Sequence, residues 1–198
     1  MLMMLAILFG YLLGSVSTSY ILGKLTKNID IRQHGSGNPG ATNTLRVLGV
    51  KAGIMLFAID IIKGILAVLI GQLLAGEVGG ILAGLSAVIG HIWPVFTGFR
   101  GGKGVATSFG VLIVIFPAIS AILFVVFMTL VFTTRYISVG SIAVAIVLPI
   151  LLIVFRYPLL SIGLGLVLAI LVLYRHKENI SRLIAGKENK IGKKSKLK

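Results

Sequence analysis

Three polar stretches of this chain carry residue types suited to holding an anion. The first is Gly35-Ser36-Gly37-Asn38-Pro39-Gly40-Ala41-Thr42-Asn43, followed by Arg46. The second is Gly98-Phe99-Arg100-Gly101-Gly102-Lys103-Gly104, and the third is Tyr174-Arg175-His176-Lys177-Glu178-Asn179 with Arg182. Ser138 and Ser141 add two hydroxyls between them. Glycines let successive backbone N–H groups converge on one anion. Ser36, Asn38, Thr42 and Asn43 bring side-chain donors, and a helix beginning near Ala41 aims its positive end at the same spot. Lys103 sits in flexible backbone just before a helix and suits a phosphate as a point charge. His176 and Asn179 are three residues apart, so on a helix they share a face.

Each stretch has a plainer reading as well. The first is also a tight turn between helices. The second is also a topology signal of positive charge, and the third a solvated amphipathic end to the last helix. Taken together they read as a site for one or more phosphorylated ligands at the cytoplasmic membrane interface. Gly35-x-Gly37-x-x-Gly40 has dinucleotide-fingerprint spacing, but that fingerprint requires a preceding strand and a βαβ unit. A Walker A loop is excluded because Ala41 stands where its lysine belongs. With no cysteine there is no thiolate nucleophile, disulfide or Cys-ligated metal. The three histidines lie far apart, so no cluster has metal-ligand spacing.

The elements that position these loops must be membrane helices. Of 198 residues, 57% are apolar and only 12% charged, against roughly 25% charged in a soluble domain. The mean hydropathy is +1.07. The net charge of +14, from 19 Lys+Arg and 5 Asp+Glu, reports on topology and on anionic lipid or substrate rather than on nucleic acid. A crossing helix needs roughly 20 apolar residues. Such runs are Leu2 to Leu22, Ile54 to Ala75, Val78 to Phe96, Val105 to Thr134, Ile137 to Phe155 and Pro158 to Tyr174. One helix over Val105–Thr134 would reach about 45 Å, too long for a bilayer core, so the run is split at Pro117.

The expectation is therefore an all-α integral membrane protein with seven transmembrane helices, some short or broken, and Val105–Phe116 short enough to be re-entrant. With seven crossings, 17 of the 19 Lys/Arg fall on one side. By the positive-inside rule that side is the cytoplasm, with the N-terminus outside and the C-terminus inside. Residues 1–189 are expected to form a single domain and 190–198 a basic, disordered tail drawn to anionic lipid. The first apolar run has no basic segment before it, so no cleaved secretory signal is expected. Neither an internal repeat nor a coiled-coil heptad is found. Asp60 and Lys63, three apart within an apolar run, read as a mutual ion pair holding helices, and His91 as a helix-packing hydrogen bonder.

Gly35 to Asn43, His91-Ile-Trp-Pro-Val-Phe96 with Gly98 to Thr107, and Tyr174 to Asn179 closely resemble the three signature loops of the bacterial acyl-phosphate:glycerol-3-phosphate acyltransferases, the PlsY family. The resemblance extends over nearly the whole chain, with Arg100 where a lysine is common. It implies a seven-helix inner-membrane enzyme with no cofactor and no metal. The implied reaction moves an acyl chain from acyl-phosphate to the sn-1 hydroxyl of glycerol 3-phosphate, giving lysophosphatidic acid and phosphate. That is the first acylation step of bacterial phospholipid synthesis. The implied catalytic residues are Ser36, Arg46, Lys103, His176 and Asn179. Implied for substrate binding are Gly37, Asn38, Thr42, Asn43, Gly101, Gly102, Ser141 and Glu188. Ser36, Gly37, Asn38 and Thr42 would hold the acyl-phosphate headgroup. Arg46, Lys103, Ser141, His176 and Asn179 would hold glycerol 3-phosphate, with Glu188 supporting the last loop. The expected partners are the two substrates and membrane lipids, with no nucleic acid and no obligate protein partner.

The chemistry of the residues agrees with this. Acyl phosphate is already an activated mixed anhydride, so the reaction needs no covalent intermediate. The His-x4-Asp motif of the other glycerol-phosphate acyltransferase superfamily is missing, since Pro39, Phe96 and Ser181 follow the histidines at that spacing. The base for the attacking hydroxyl is either His176 or a phosphate oxygen of a substrate. Two rivals stand beside the enzyme: a transporter for a phosphorylated solute and a non-catalytic scaffold binding anionic lipid. Against the transporter, only Asp60 and Lys63 lie near the bilayer midplane.

Overall fold

The structure, a computed structural model, describes residues 1–192. Most of the segment expected to form the basic tail, residues 193–198, lies outside them. Among the described residues all regular secondary structure is helical. In order, the helices are α1 (Leu2–Ser15), α2 (Thr18–Lys27), α3 (Ala41–Leu48), α4 (Val50–Ile92), α5 (Val105–Ile115), α6 (Pro117–Thr134), α7 (Ile137–Val154), α8 (Leu159–Arg175) and α9 (Lys177–Ile184). Short 3-10 turns cover Ile31–Gln33 and Val95–Thr97. The residues group into two compact units, Met1–Val114 with Gly192, and Ile115–Ile191.

In the first unit, glycine makes the packing possible. Helices in lipid gain no hydrophobic drive toward one another, so small residues that admit close backbone approach supply the contact instead. On α1 the buried positions Ala6, Gly10 and Gly14 recur every four residues and form one stripe. A Cβ at Gly10 would strike the carbonyl of Ala83, and one at Gly14 the carbonyl of Ala87. Helix α4 breaks at Ala75 (φ −147°) and Gly76 (φ +67°). Gly71 and Gly79, on either side of the break, each face the other's backbone carbonyl. Gly64 of α4 faces the Thr107 carbonyl of α5, and Gly110 of α5 faces the Ile61 carbonyl.

The second unit runs α6, α7, α8 and α9 in sequence. Pro117 opens α6, where its missing N–H costs nothing. Gly140 of α7 lies against Phe127 and Val131 of α6, and Gly165 of α8 against Leu152 of α7. Large apolar side chains point outward from both units: Leu73 is 86% exposed, Phe132 74% and Ile170 65%. Such surfaces are tolerated against lipid and not against water.

The expected seven crossings are corrected by the structure. Among the described residues, four helical segments are long and apolar enough to span: Leu2–Lys27, Val50–Thr97, Pro117–Thr134 and Ile137–Val154. The pair Leu159–Arg175 and Lys177–Ile184, bent by 58°, raises the number to five if it is one span. Three physical facts reduce the count. The runs read as a second and a third crossing belong to one helical segment, which folds back on itself at Ala75–Gly76 and brings Lys63 to His91. Helix α5 has 11 residues, a length of roughly 16 Å against a hydrocarbon core of about 30 Å. Helix α8 has 17 residues and qualifies only together with α9. With four or five spans, the argument from seven crossings no longer fixes the sides of the termini.

Candidate active site

The first unit carries the first two loops. Helix α2 ends at Asn28 in the left-handed region, and the chain then turns at Ile31–Gln33. Asp30 caps that turn by accepting the Arg32 N–H at 3.0 Å. The Arg32 guanidinium returns to the same carboxylate, Nη2 to Oδ2 at 2.8 Å. These side-chain hydrogen bonds outweigh burial and hold the Asp30 carboxyl below its ordinary pKa. Arg32 Nη1 also donates to the Thr97 carbonyl at 2.7 Å, tying the first loop to the second.

Gly35 and Gly37 take φ of +63° and +72°, which L side chains rarely adopt. Asn43, 1% exposed, braces them from inside. Its Oδ1 accepts the Ser36 N–H at 2.8 Å, and its Nδ2 donates to the carbonyls of His34 (2.9 Å) and Ile31 (3.3 Å). Gly40 is the N-cap of α3, so the helix begins at Ala41 as expected. Its first turn leaves the N–H groups of Ala41 and Thr42 without an intrahelical acceptor. Ser36 is exposed and Asn38, Thr42 and Arg46 are half-buried. Thr42 and Arg46, one turn apart, share a face of α3.

The second loop leaves α4 at Trp93, whose carbonyl accepts the Tyr11 hydroxyl at 2.9 Å. It then folds back on the helix end. The Gly101 N–H donates to the Ile92 carbonyl at 3.2 Å and the Gly102 N–H to the His91 carbonyl at 3.1 Å. Both positions demand glycine, because a Cβ at Gly101 would meet the His91 carbonyl and one at Gly102 the His91 ring. Lys103 follows, half-buried, and Gly104 (φ +81°) leads into α5. Ser19 Oγ donates to the Pro39 carbonyl at 2.9 Å, and Pro39 and Gly102 line one small cavity.

The second unit holds the remaining residues. Glu188 gathers them: Oε1 accepts from Asn179 Nδ2 at 2.8 Å and from Ser138 Oγ at 3.2 Å, and Oε2 from Arg182 Nε at 2.7 Å. Burial opposes ionisation of this carboxyl, but the hydrogen bonds from Arg182, Asn179 and Ser138 and the Arg182 charge together hold its pKa below the ordinary value. Nearby, Ile191 N–H donates to the Arg135 carbonyl at 2.9 Å, and the Lys190 ammonium sits 5.6 Å from the Tyr136 ring centroid. Buried His176, at the bend between α8 and α9, has Nδ1 2.8 Å from the Val172 carbonyl. A carbonyl only accepts, so Nδ1 carries the proton and the neutral ring has its lone pair on Nε2. Ser141 Oγ donates to the Ile137 carbonyl at 3.0 Å.

Within the first unit, then, the Gly35–Asn43 and Gly101–Lys103 loops are held beside one another. Within the second, Ser138, Asn179 and Arg182 meet at Glu188. Several residues expected to bind substrate also hold groups of the protein: Asn43 loop backbone, Glu188 three side chains, Ser141 the Ile137 carbonyl, and Gly101 and Gly102 the end of α4. Arg32 escaped sequence reasoning; its only signal there is an Asp30-x-Arg32 pair in a loop. Among the described residues no three His, Cys, Asp or Glu side chains cluster as metal ligands.

The fold and its loops define an all-α, multi-pass membrane protein with polar, glycine-rich loops between apolar helices. The model of the family described as "Glycerol-3-phosphate acyltransferase" matches residues 4–186. The glycerol-3-phosphate acyltransferase of Shouchella clausii (strain KSM-K16) is 51% identical over 197 residues, 95% of each chain. That of Thermoanaerobacter sp. (strain X514) is 45% identical over 194 residues, 98% of each. Among solved structures, PlsY (YgiH), an integral membrane glycerol 3-phosphate acyltransferase, matches in its glycerol 3-phosphate form with a TM-score of 0.91 at 40% identity, covering 96% of both chains. Its lysophosphatidic acid form matches with a TM-score of 0.88 at 39% identity, covering 96% of this chain and 95% of that one. The chain belongs to the glycerol-3-phosphate acyltransferase family.

Proposed function

We infer that this protein is an acyl-phosphate:glycerol-3-phosphate acyltransferase of the bacterial inner membrane. It transfers a fatty acyl group to the sn-1 hydroxyl of glycerol 3-phosphate and releases lysophosphatidic acid and phosphate. The observation that carries this reading is the likeness, nearly end to end, to PlsY in its glycerol 3-phosphate form. The loop chemistry supports it. Cations, glycine amides and a helix N-terminus suit phosphate esters, and a membrane setting suits the acyl chain.

The roles follow the family resemblance. Ser36, Gly37, Asn38 and Thr42 hold the acyl-phosphate headgroup. Arg46 and Lys103 supply cations to the phosphate of glycerol 3-phosphate, with Gly101 and Gly102 shaping the loop. Ser141, His176 and Asn179 are assigned to the same substrate. Asn43 and Glu188 serve as positioning residues, because their polar atoms hold neighbouring groups of their own units. The sn-1 oxygen forms a bond to the acyl carbon as the bond from that carbon to the phosphate oxygen breaks. Nε2 of His176 accepts the hydrogen bond of the attacking hydroxyl and aims its oxygen. The departing phosphate is the final acceptor of the proton, directly or by way of His176. Positioning and cationic stabilisation of the developing oxyanion provide most of the acceleration.

The active site faces the cytoplasm. Lys and Arg concentrate in residues 23–53, 97–104 and from 175 onward, as positive-inside segments do. A carrier for phosphorylated solutes needs exchangeable polar groups at mid-membrane. Lys63, the cation nearest that level, is instead held by neighbouring acceptors. Initial-rate kinetics with both substrates varied test the direct transfer. Intersecting double-reciprocal lines are expected, whereas parallel lines with a trapped acyl-enzyme contradict it.

A further inference from the structure

Beneath the second loop lies a buried charged group that the reaction does not use. Asp60 and Lys63 are on α4 before its break, and His91 is at the far end of the same helix. All three are buried, at 2%, 5% and 8% exposure. An ammonium has three protons to donate and no acceptor. Lys63 Nζ lies 2.8 Å from Asp60 Oδ1, 2.8 Å from His91 Nδ1 and 3.4 Å from the Val16 carbonyl. Lys63 thus makes an ion pair with Asp60 and hydrogen bonds to His91 and Val16, and these partners come from three places: the extended residue after α1 and the two halves of α4. With Nδ1 accepting from Lys63, the neutral imidazole carries its proton on Nε2. That edge is turned to the second loop, since a Cβ at Gly102 would fall on His91 Nε2. The same residue's carbonyl accepts the Gly102 N–H. His91 therefore supports Gly102 with both backbone and ring, one residue before Lys103.

We propose that Asp60, Lys63 and His91 are a buried positioning unit that holds the Gly101–Gly102 turn, and with it Lys103, at the head of α5. Lys63 fixes the His91 ring, the ring is the floor of the turn, and the turn sets where the Lys103 chain begins. A plain i,i+3 ion pair along one half of α4 accounts for Asp60 with Lys63. It leaves unexplained why an ammonium proton goes to an imidazole beneath the loop glycines. One cavity lined by Ser19, Pro39, Asp60, Lys63, His91 and Gly102 places the unit under both loops of the first unit. The kinetic part of this inference rests on the assignment of Lys103 to a substrate phosphate.

The test uses the full chain in lipid nanodiscs with three variants. His91→Leu keeps bulk and removes the acceptor. His91→Gln keeps an acceptor for Lys63. Asp60→Asn with Lys63→Met removes both charges at once, so no unpaired ion is left in the membrane. Hydrogen exchange is read at the Gly101 and Gly102 amides, with α1 as internal reference. Exchange at both glycines is expected to rise about tenfold in His91→Leu and in the double variant, with α1 unchanged. His91→Gln should stay near wild type. In parallel, the KM for glycerol 3-phosphate should rise roughly fivefold or more with kcat within about twofold, the split expected when a binding group is misplaced. Wild-type exchange at both glycines in a folded variant overturns the proposal. Faster exchange with unchanged KM overturns the link to Lys103. Should His91→Leu not fold, the double variant carries the same test. The exchange readout needs no turnover, so a wild-type protein inactive on these substrates would sink the functional reading and leave the positioning claim decided on its own.

Discussion

The side-chain oxygen of Asn43 accepts the backbone N–H of Ser36 at 2.8 Å, across seven residues of chain. Through that bond the first turn of α3 holds the loop that precedes it. Gly35 must be glycine for the same reason, because a Cβ there would collide with Asn43 Oδ1. Asn43→Ala should leave the Ser36 N–H and the His34 carbonyl short of a partner, at a cost of about 1–3 kcal/mol. Asn43→Asp is the sharper variant. It keeps the acceptor for Ser36 but points a second acceptor at two carbonyls. Thermal unfolding should rank the variants wild type, then Ala, then Asp, with KM for acyl-phosphate rising in the same order. Equal stability of all three would show that the loop does not depend on this amide.

The Glu188 carboxylate predicts an acid-sensitive end to the chain. Its folded pKa is lowered, so its stabilisation is complete above the unfolded glutamate value, about 4.3, and is lost as pH falls through the lowered one. Protease susceptibility after Ile184 should be low at neutral pH and rise on acidification through that window. Glu188→Gln puts an amide N–H against the Arg182 donor, so susceptibility should be high at every pH. An acid response unchanged in Glu188→Gln would assign it to another group.

Glycine spacing predicts where stability resides. A Cβ at Gly14 would meet the Ala87 carbonyl, which is backbone and unable to yield, whereas nothing lies within 4 Å of the corresponding point at Gly163. Gly14→Val should lower the melting temperature in detergent by the equivalent of about 1–3 kcal/mol. Gly163→Ala should be neutral or slightly stabilising, since alanine favours the helix by about 1 kcal/mol. Equal effects at the two sites would contradict the packing of α1 on α4.

Much of this was legible in the residues themselves. The start of α3 at Ala41 follows from glycines and proline ahead of a polar, apolar-striped run. Pro117 opens α6, where its missing N–H breaks no helical hydrogen bond and its fixed φ suits the first turn. The Asp60–Lys63 pair follows from three-residue spacing, and it forms at 2.8 Å. What stayed hidden depends on chain reversal. Hydropathy reads apolar length, and it cannot tell an 11-residue α5 plus a proline break from two crossings. His91 joins Lys63 across 28 residues only because α4 breaks at Ala75–Gly76. Arg32 reaches Thr97 across 65 residues, and no local pattern encodes that. Asn43 carries the same side-chain chemistry whether it faces a ligand or its own loop. Burial decides between them, and burial is a property of the fold.

The most direct measurement is product formation by the purified protein in lipid, supplied with acyl-phosphate and glycerol 3-phosphate, beside Lys103→Ala. Lysophosphatidic acid and phosphate should appear together in equal amounts. Lys103→Ala, equally folded, should lose on the order of 100-fold or more in kcat/KM, as removal of a charge-stabilising group does. Absence of lysophosphatidic acid from the wild-type protein, or turnover undiminished in Lys103→Ala, would contradict the account.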